Sequence, residues 1–244
     1  MNIEQMHLAI QQGVDKINSF QADSLLSEEI DLEVNKAINK FIQLKYGKNN
    51  IYGKGFEESQ KRIDDLRTLL VDKPLKCKYI ADSINSTFMY KSEVFPEGYR
   101  HLIKIVGEVA HRSDCRILPL DHQQQLADIP EDIKVSKQVM MKFSQQDDVF
   151  NSLVDPFNTT KLDKPIFSVE GDNIIIYTND IFIIEKVKLT YIKNPSVVSL
   201  SLGNSCELPI HTHQEIVDMA IGSILEVIGD PRYQTHQSEL GKNE

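Results

Sequence analysis

Long apolar runs are missing from this 244-residue chain; the longest cover a few residues, such as Ile181 to Ile184, against the roughly 20 needed to cross a bilayer. No membrane-spanning helix is expected. Cysteine is scarce: Cys77, Cys115 and Cys206 are odd in number, widely spaced and without a CxxC, which points to reduced thiols and not to a disulfide framework. Basic residues are outnumbered, with 27 Lys+Arg against 36 Asp+Glu and a net charge of −9. That balance argues against a nucleic-acid coat, because phosphate binding needs a concentrated positive field. The start, Met1-Asn2-Ile3-Glu4, lacks the basic and apolar stretches of a secretory signal, so cytosolic synthesis is expected. Catalytic punctuation is also missing. There is no GxSxG, and Gly47 to Gly55 with Lys48 and Lys54 has no phosphate-loop spacing. No motif fixes two carboxylates opposite each other as an acid–base dyad needs.

What is present is a folded protein's composition, 41% hydrophobic and 26% charged, sized for one large or two small domains. Ile3, Met6, Ile10, Val14 and Ile17 recur at spacings of three and four, the stripe of a first helix. Ser27, followed by Glu28, Glu29 and Asp31, reads as the N-cap of a second. Its buried face is Ile30, Val34, Ile38, Phe41 and Ile42, and Tyr46-Gly47 ends it. A third pattern runs from Phe56 through Ile63, Leu66, Leu69 and Leu70 to Pro74.

Beyond Pro74 the period falls to two. Ser86 to Phe95 and Tyr99 to Ala110 read as an antiparallel pair around the turn Pro96-Glu97-Gly98, with Arg116 to Leu120 as a further short strand. Residues 121–165, rich in Gln, Asp and Pro, read as a long loop or projecting arm. Ile166 to Val169, Ile174 to Thr178 and Ile181 to Lys193 predict a three-stranded meander. In its last strand Val187, Leu189 and Tyr191 alternate with Lys186, Lys188 and Thr190, one face buried and one wet. Thr212-His213-Gln214-Glu215 fits a capping box. It opens a helix with the apolar face Ile216, Val217, Ala220, Ile221, Ile224, Leu225 and Ile228, ended by Gly229-Asp230-Pro231. Residues 230–244 form a polar tail with little to bury.

The expected class is therefore α+β. Residues 1–73 and 211–229 form a helical bundle, 74–120 and 166–200 an inserted antiparallel β region, and the rest extended arms. His211 and His213, with Glu215, are the one cluster with metal-ligand residue types, yet an H-x-H entering a helix does not place both rings on one face. Cys206 lies between elements and reads as a small buried hydrophobe. The Lys186, Lys188 and Lys193 stripe reads as a solvated strand face before a phosphate site. No metal, cofactor or catalytic residue is expected.

Several stretches, taken in order, resemble the head-to-tail connector (adaptor or ring) proteins of tailed bacteriophages, with the crAss-like phages of Bacteroidetes hosts as the nearest group. They are the opening Met1 to His7, Leu26 to Asp31 with Asn35 to Ile42, Leu189 to Pro195, His211 to Asp218, and Pro231 to Gln234. The resemblance implies a virion protein forming a homo-oligomeric ring of twelve copies below the portal protein. It also implies that arms reach neighbouring tail or ring proteins, and that DNA passes through without sequence-specific binding. Arg232, Tyr233 and Gln234 are the expected anchor into a partner ring. The rivals are a tail or baseplate ring away from the portal, a metal enzyme built on His211 and His213, and a monomeric cytosolic interaction domain.

Overall fold

The computed structural model describes residues 1–17, 25–47, 60–82, 87–111, 136–179 and 182–228. These residues form an α+β protein of two compact units. One is Met1–Leu70 with Asn194–Glu244, and the other is Val71–Lys193.

The first unit is the helical bundle. Helix α1 (Ile3–Ile17) starts on a reciprocal cap in which Asn2 Oδ1 accepts the Gln5 N–H at 2.8 Å and Gln5 Oε1 accepts the Asn2 N–H at 3.0 Å. Its Ile3, Met6, Ile10 and Val14 are buried as the spacing predicts. Helix α2 (Ser27–Tyr46) buries Ile30, Val34, Ile38, Phe41 and Ile42. Ser27 is its first helical residue and not the N-cap. Leu26 holds that place, and Glu29 Oε2 reaches back to its N–H at 3.0 Å, the N3 half of a capping box without the hydroxyl half.

Helix α3 (Gln60–Leu66) ends earlier than its apolar spacing suggests, and the start of that pattern at Phe56 lies outside the described residues. A 3₁₀ turn, Arg67–Leu69, follows and leads directly into strand β1 (Leu70–Leu75). Pro74, expected to stop a helix, sits inside this strand. β1 is the outer strand of its sheet, where a residue without an N–H is tolerated.

The remaining strands are β2 (Cys77–Asp82), β3 (Thr87–Ser92), β4 (Tyr99–His111), β5 (Lys137–Met140), β6 (Lys142–Phe143), β7 (Ile166–Glu170), β8 (Asn173–Tyr177) and β9 (Phe182–Lys193). Helix α4 (Val149–Val154) lies between β6 and β7. Two sheets result, in the orders β1-β9-β4-β5 and β2-β3-β8-β7-β6.

Three expectations change here. The stretch around Pro96-Glu97-Gly98 is a tight turn, with the Tyr99 N–H on the Pro96 carbonyl at 3.1 Å and Gly98 at φ 76°. It carries the chain from one sheet to the other, so β3 and β4 are not partners. The meander is likewise a hairpin, β7–β8, followed by a strand in the other sheet: Asn179, at φ 47°, turns the chain away and β9 pairs with β4. Alternation sets which faces are apolar but not which strand is the neighbour. Residues 136–165, expected as loop or arm, hold β5, β6 and α4; their strands are too short for periodicity to register. Arg116 to Leu120 and the rest of that expected loop lie outside the described residues.

The two sheets share one core. Ile105, Val109, Val187, Leu189 and Tyr191 come from the four-stranded sheet, and Phe167, Ile174 and Ile176 from the five-stranded one. The outer face of the latter has a smaller core of Val149, Ile166, Ile175 and Tyr177, with Met89 and Leu153 against it under α4. β8 is thus covered on both sides, which explains its unbroken Ile174-Ile175-Ile176 run. Gly107 in β4 permits close packing: a Cβ there would collide with the Met141 methyl.

The chain returns to the helical unit through 194–209. Asn35 clamps this segment, taking the Val198 N–H at 2.9 Å and giving its amide to the Val198 carbonyl at 2.8 Å. Asp31 accepts the Leu200 N–H through both oxygens, at 3.0 and 3.2 Å, and His7 Nε2 at 2.8 Å. A 3₁₀ turn, Ile210–Thr212, then opens helix α5 (His213–Ile228). The expected capping box does not form. Thr212 Oγ1 donates back to the Pro209 carbonyl at 2.8 Å, and Glu215 is taken by Lys45 at 2.7 Å. Helix α5 buries Ile216, Val217, Ala220, Ile221, Ile224 and Leu225. It approaches α1 so closely that a Cβ on Gly13 would run into Ile221.

Candidate functional site

In the helical unit the densest ionisable group is built from three helices and the 3₁₀ turn. Lys45, near the end of α2, is buried, donates to Glu215 Oε1 at 2.7 Å and lies 4.0 Å from Asp65 Oδ2. Its ammonium also stands 5.1 Å from the centre of the Phe41 ring. Asp65 is 1% exposed; its Oδ1 accepts His211 Nε2 at 2.9 Å, while Oδ2 has no hydrogen-bond partner. One amine is thus shared by two carboxylates, an arrangement that breaking one member would destabilise strongly. His211 opens furthest to solvent, its side chain 53% exposed against 30% for Glu215, at the wall of a depression lined also by Gln60, Lys61, Asp64 and Arg67. An Asp–His pair can hold an imidazole in one tautomer, yet among the described residues no Ser, Thr or Cys lines this depression to be activated by it.

The sequence-predicted residues separate. His213 turns inward, its Nε2 donating to the Leu208 carbonyl at 2.8 Å and its Nδ1 lying 3.0 Å from both the amine and the carbonyl oxygen of Met1. It therefore does not share a ligand with His211. Among the described residues no group of three or more His, Cys, Asp or Glu is arranged to hold a metal. Burial pushes the Cys206 thiol up, and burial followed by Glu93 pushes Cys77 up to about 11, so both favour the neutral form. Of the lysine stripe, Lys188 binds Asp72 at 2.6 Å and Lys186 binds Glu108 at 3.2 Å. Those carboxylates lie below their ordinary range because of these partners, joined by Thr190 at Asp72 and preceded by Ser136 at Glu108. Lys186 and Lys188 are thus locally neutralised. Arg232, Tyr233 and Gln234 lie outside the described residues.

The sandwich unit carries a surface that residue-by-residue reading missed. Met140, Phe143, Phe150, Val154 and Phe157 are all exposed, within one stretch of chain around β6 and α4. Phe157 is presented by a turn that Asp155 fixes, its Oδ1 on the Phe157 N–H at 3.0 Å and its Oδ2 on the Asn158 amide at 2.7 Å. Phe143 leans on Phe167, ring centres 5.5 Å apart. A shallow polar groove beside them, about 420 Å³, is lined by Lys142, Gln145, Asp148 and Asn151 among others. Spacing held the signal: Val149 and Leu153 point to the small core, and Phe150 and Val154 form a second i, i+4 pair about 100° round the helix and exposed. A helix apolar on two sides has more than its own sheet to cover.

Together the sites define an α+β protein whose ionisable clusters are internally paired and whose most conspicuous free surface is apolar. No protein-family model matches the chain, and no curated protein matches it.

Proposed function

We propose that this chain is a non-enzymatic virion structural protein, a head-to-tail connector that forms a ring between portal and tail and continues the DNA channel. The observation that carries the reading is the exposed apolar set Met140, Phe143, Phe150, Val154 and Phe157. Large apolar side chains exposed this closely along one stretch of chain mark protein contacts. The order of stretches resembling connector proteins gives the contact its setting. The net charge of −9 supports it as well, since a channel that must release DNA needs few lysine and arginine contacts to phosphate. In this reading Arg232, Tyr233 and Gln234 anchor the subunit in a neighbouring ring.

Truncation after Gly229 tests the anchor. The shortened subunit folds, and particles carrying it accumulate as unjoined heads and tails. Normal tailed particles from that mutant would discard the anchor. Cryo-EM of intact particles tests the placement: density for the chain directly below the portal is expected. A ring found elsewhere along the tail or baseplate would replace the connector reading with that one.

A further inference from the structure

Resting on the ring reading, we propose that one copy sets the outer face of its β2–β3 hairpin on the Met140–Phe157 stretch of the next copy, head to tail. β2 and β6 are the two outer strands of the five-stranded sheet. Four strand spacings separate them, roughly 19 Å. Each copy therefore offers two different ends and not one self-complementary patch.

The hairpin end is basic. Lys78 stands directly opposite Lys91, both are exposed, and neither has an ion pair among the described residues. Like charges facing each other across a strand pair cost stability, and an anionic partner would reverse that cost. Beside them the next pair on the same face is Ile80 opposite Met89; Ile80 is exposed, while Met89 packs on the small core under α4.

The other end is acidic and apolar. Asp147 and Asp148 precede α4, are exposed, and have no ion pair among the described residues. Around them Phe143, Phe150 and Phe157 are 53%, 58% and 88% exposed. At about 200 Å² per ring, these three expose roughly 400 Å², half of the ~800 Å² that one partner contributes to a standard interface.

Charge decides the pairing. Hairpin on hairpin would bring four lysines together, and stretch on stretch four aspartates. Hairpin on stretch neutralises both and covers Ile80 with the phenylalanines. A contact between unlike ends repeats from copy to copy and closes into a ring when the rotation permits.

Charge exchange in the purified full-length chain tests this, read by sedimentation and mass photometry over a concentration series. Lys78→Glu with Lys91→Glu, or Asp147→Lys with Asp148→Lys, should weaken association at least about tenfold. The variant carrying all four changes should recover it. Phe157→Ser, at a side chain outside the core, should weaken it without lowering Tm. Association unaffected by either reversal, or no recovery in the fourfold variant, overturns the contact and leaves the ring reading standing. A wild-type chain that stays monomeric throughout overturns the contact too. Absence of the chain from the head–tail junction overturns the connector reading alone, whatever the charge exchange shows.

Discussion

Asp31 holds the returning segment to the helical unit, and replacing it with alanine should cost about 2–4 kcal/mol. Its carboxylate serves two donors, His7 Nε2 and the Leu200 N–H. Asp31→Ala leaves both unmade. His7 is buried, so its orphaned N–H carries the full penalty of about 1–3 kcal/mol. Leu200 is half-buried, so water partly replaces the lost acceptor and about 1 kcal/mol is expected there. Asp31→Asn keeps one acceptor oxygen and should cost about half as much. Urea unfolding followed by helical circular dichroism reads the change, a midpoint lowered by roughly 1–2 M for a typical dependence on denaturant. Amide exchange supplies a local reading: Leu200 should lose protection before the buried residues of α2. A midpoint shift worth less than about 0.5 kcal/mol, the range of ordinary surface changes, would refute the idea that Asp31 pins this segment.

Lys45→Met should be more damaging still, about 3–5 kcal/mol, because Asp65 and Glu215 lose their shared amine while Asp65 stays buried. Adding Asp65→Asn should recover part of this, and equal melting temperatures for Lys45→Met and the exposed-site Lys36→Met would contradict the assignment. In the sandwich, hydrogen bonds from Lys188 and then Thr190 hold the Asp72 carboxyl below its ordinary 3.8. A native pKa lower than the unfolded one gives stability that is present above about pH 4 and lost as pH falls through the native value. Thr190→Val should therefore raise the Asp72 pKa in a carboxyl NMR titration and reduce the steepness of acid destabilisation. An unchanged titration would show that Thr190 does not hold the charge.

The α+β class and the buried stripes of α1, α2 and α5 were legible because a helix facing a core repeats its apolar residues every three or four positions. Ile30, Val34, Ile38, Phe41 and Ile42 needed no other information. The charged residues inside the bundle were not legible: Lys45 and Asp65 look solvated in any pattern, and only their mutual geometry makes burial tolerable. Strand existence was readable for β7, β8 and β9, but partnership was not, since Ile174-Ile175-Ile176 says that both faces are covered without saying by what. The apolar stretch around α4 escaped because its polar neighbours Gln145, Gln146, Asp147 and Asp148 dominated the composition. His211 and His213 are two residues apart yet serve unrelated partners, Asp65 and the backbone. Proximity in sequence was no guide there.

The helical unit is written in two separated stretches of chain, and Ser223 on α5 bonds Glu33 on α2 across 190 residues. On a ribosome, α1 and α2 emerge long before the helix that covers them, whereas the sandwich between has all its strands in one continuous stretch. The inserted unit is therefore free to fold first during translation, while the bundle waits with Ile30, Val34 and Phe41 uncovered. Slowing synthesis between residues 47 and 213 should prolong that exposure and increase the nascent chain's demand for chaperones.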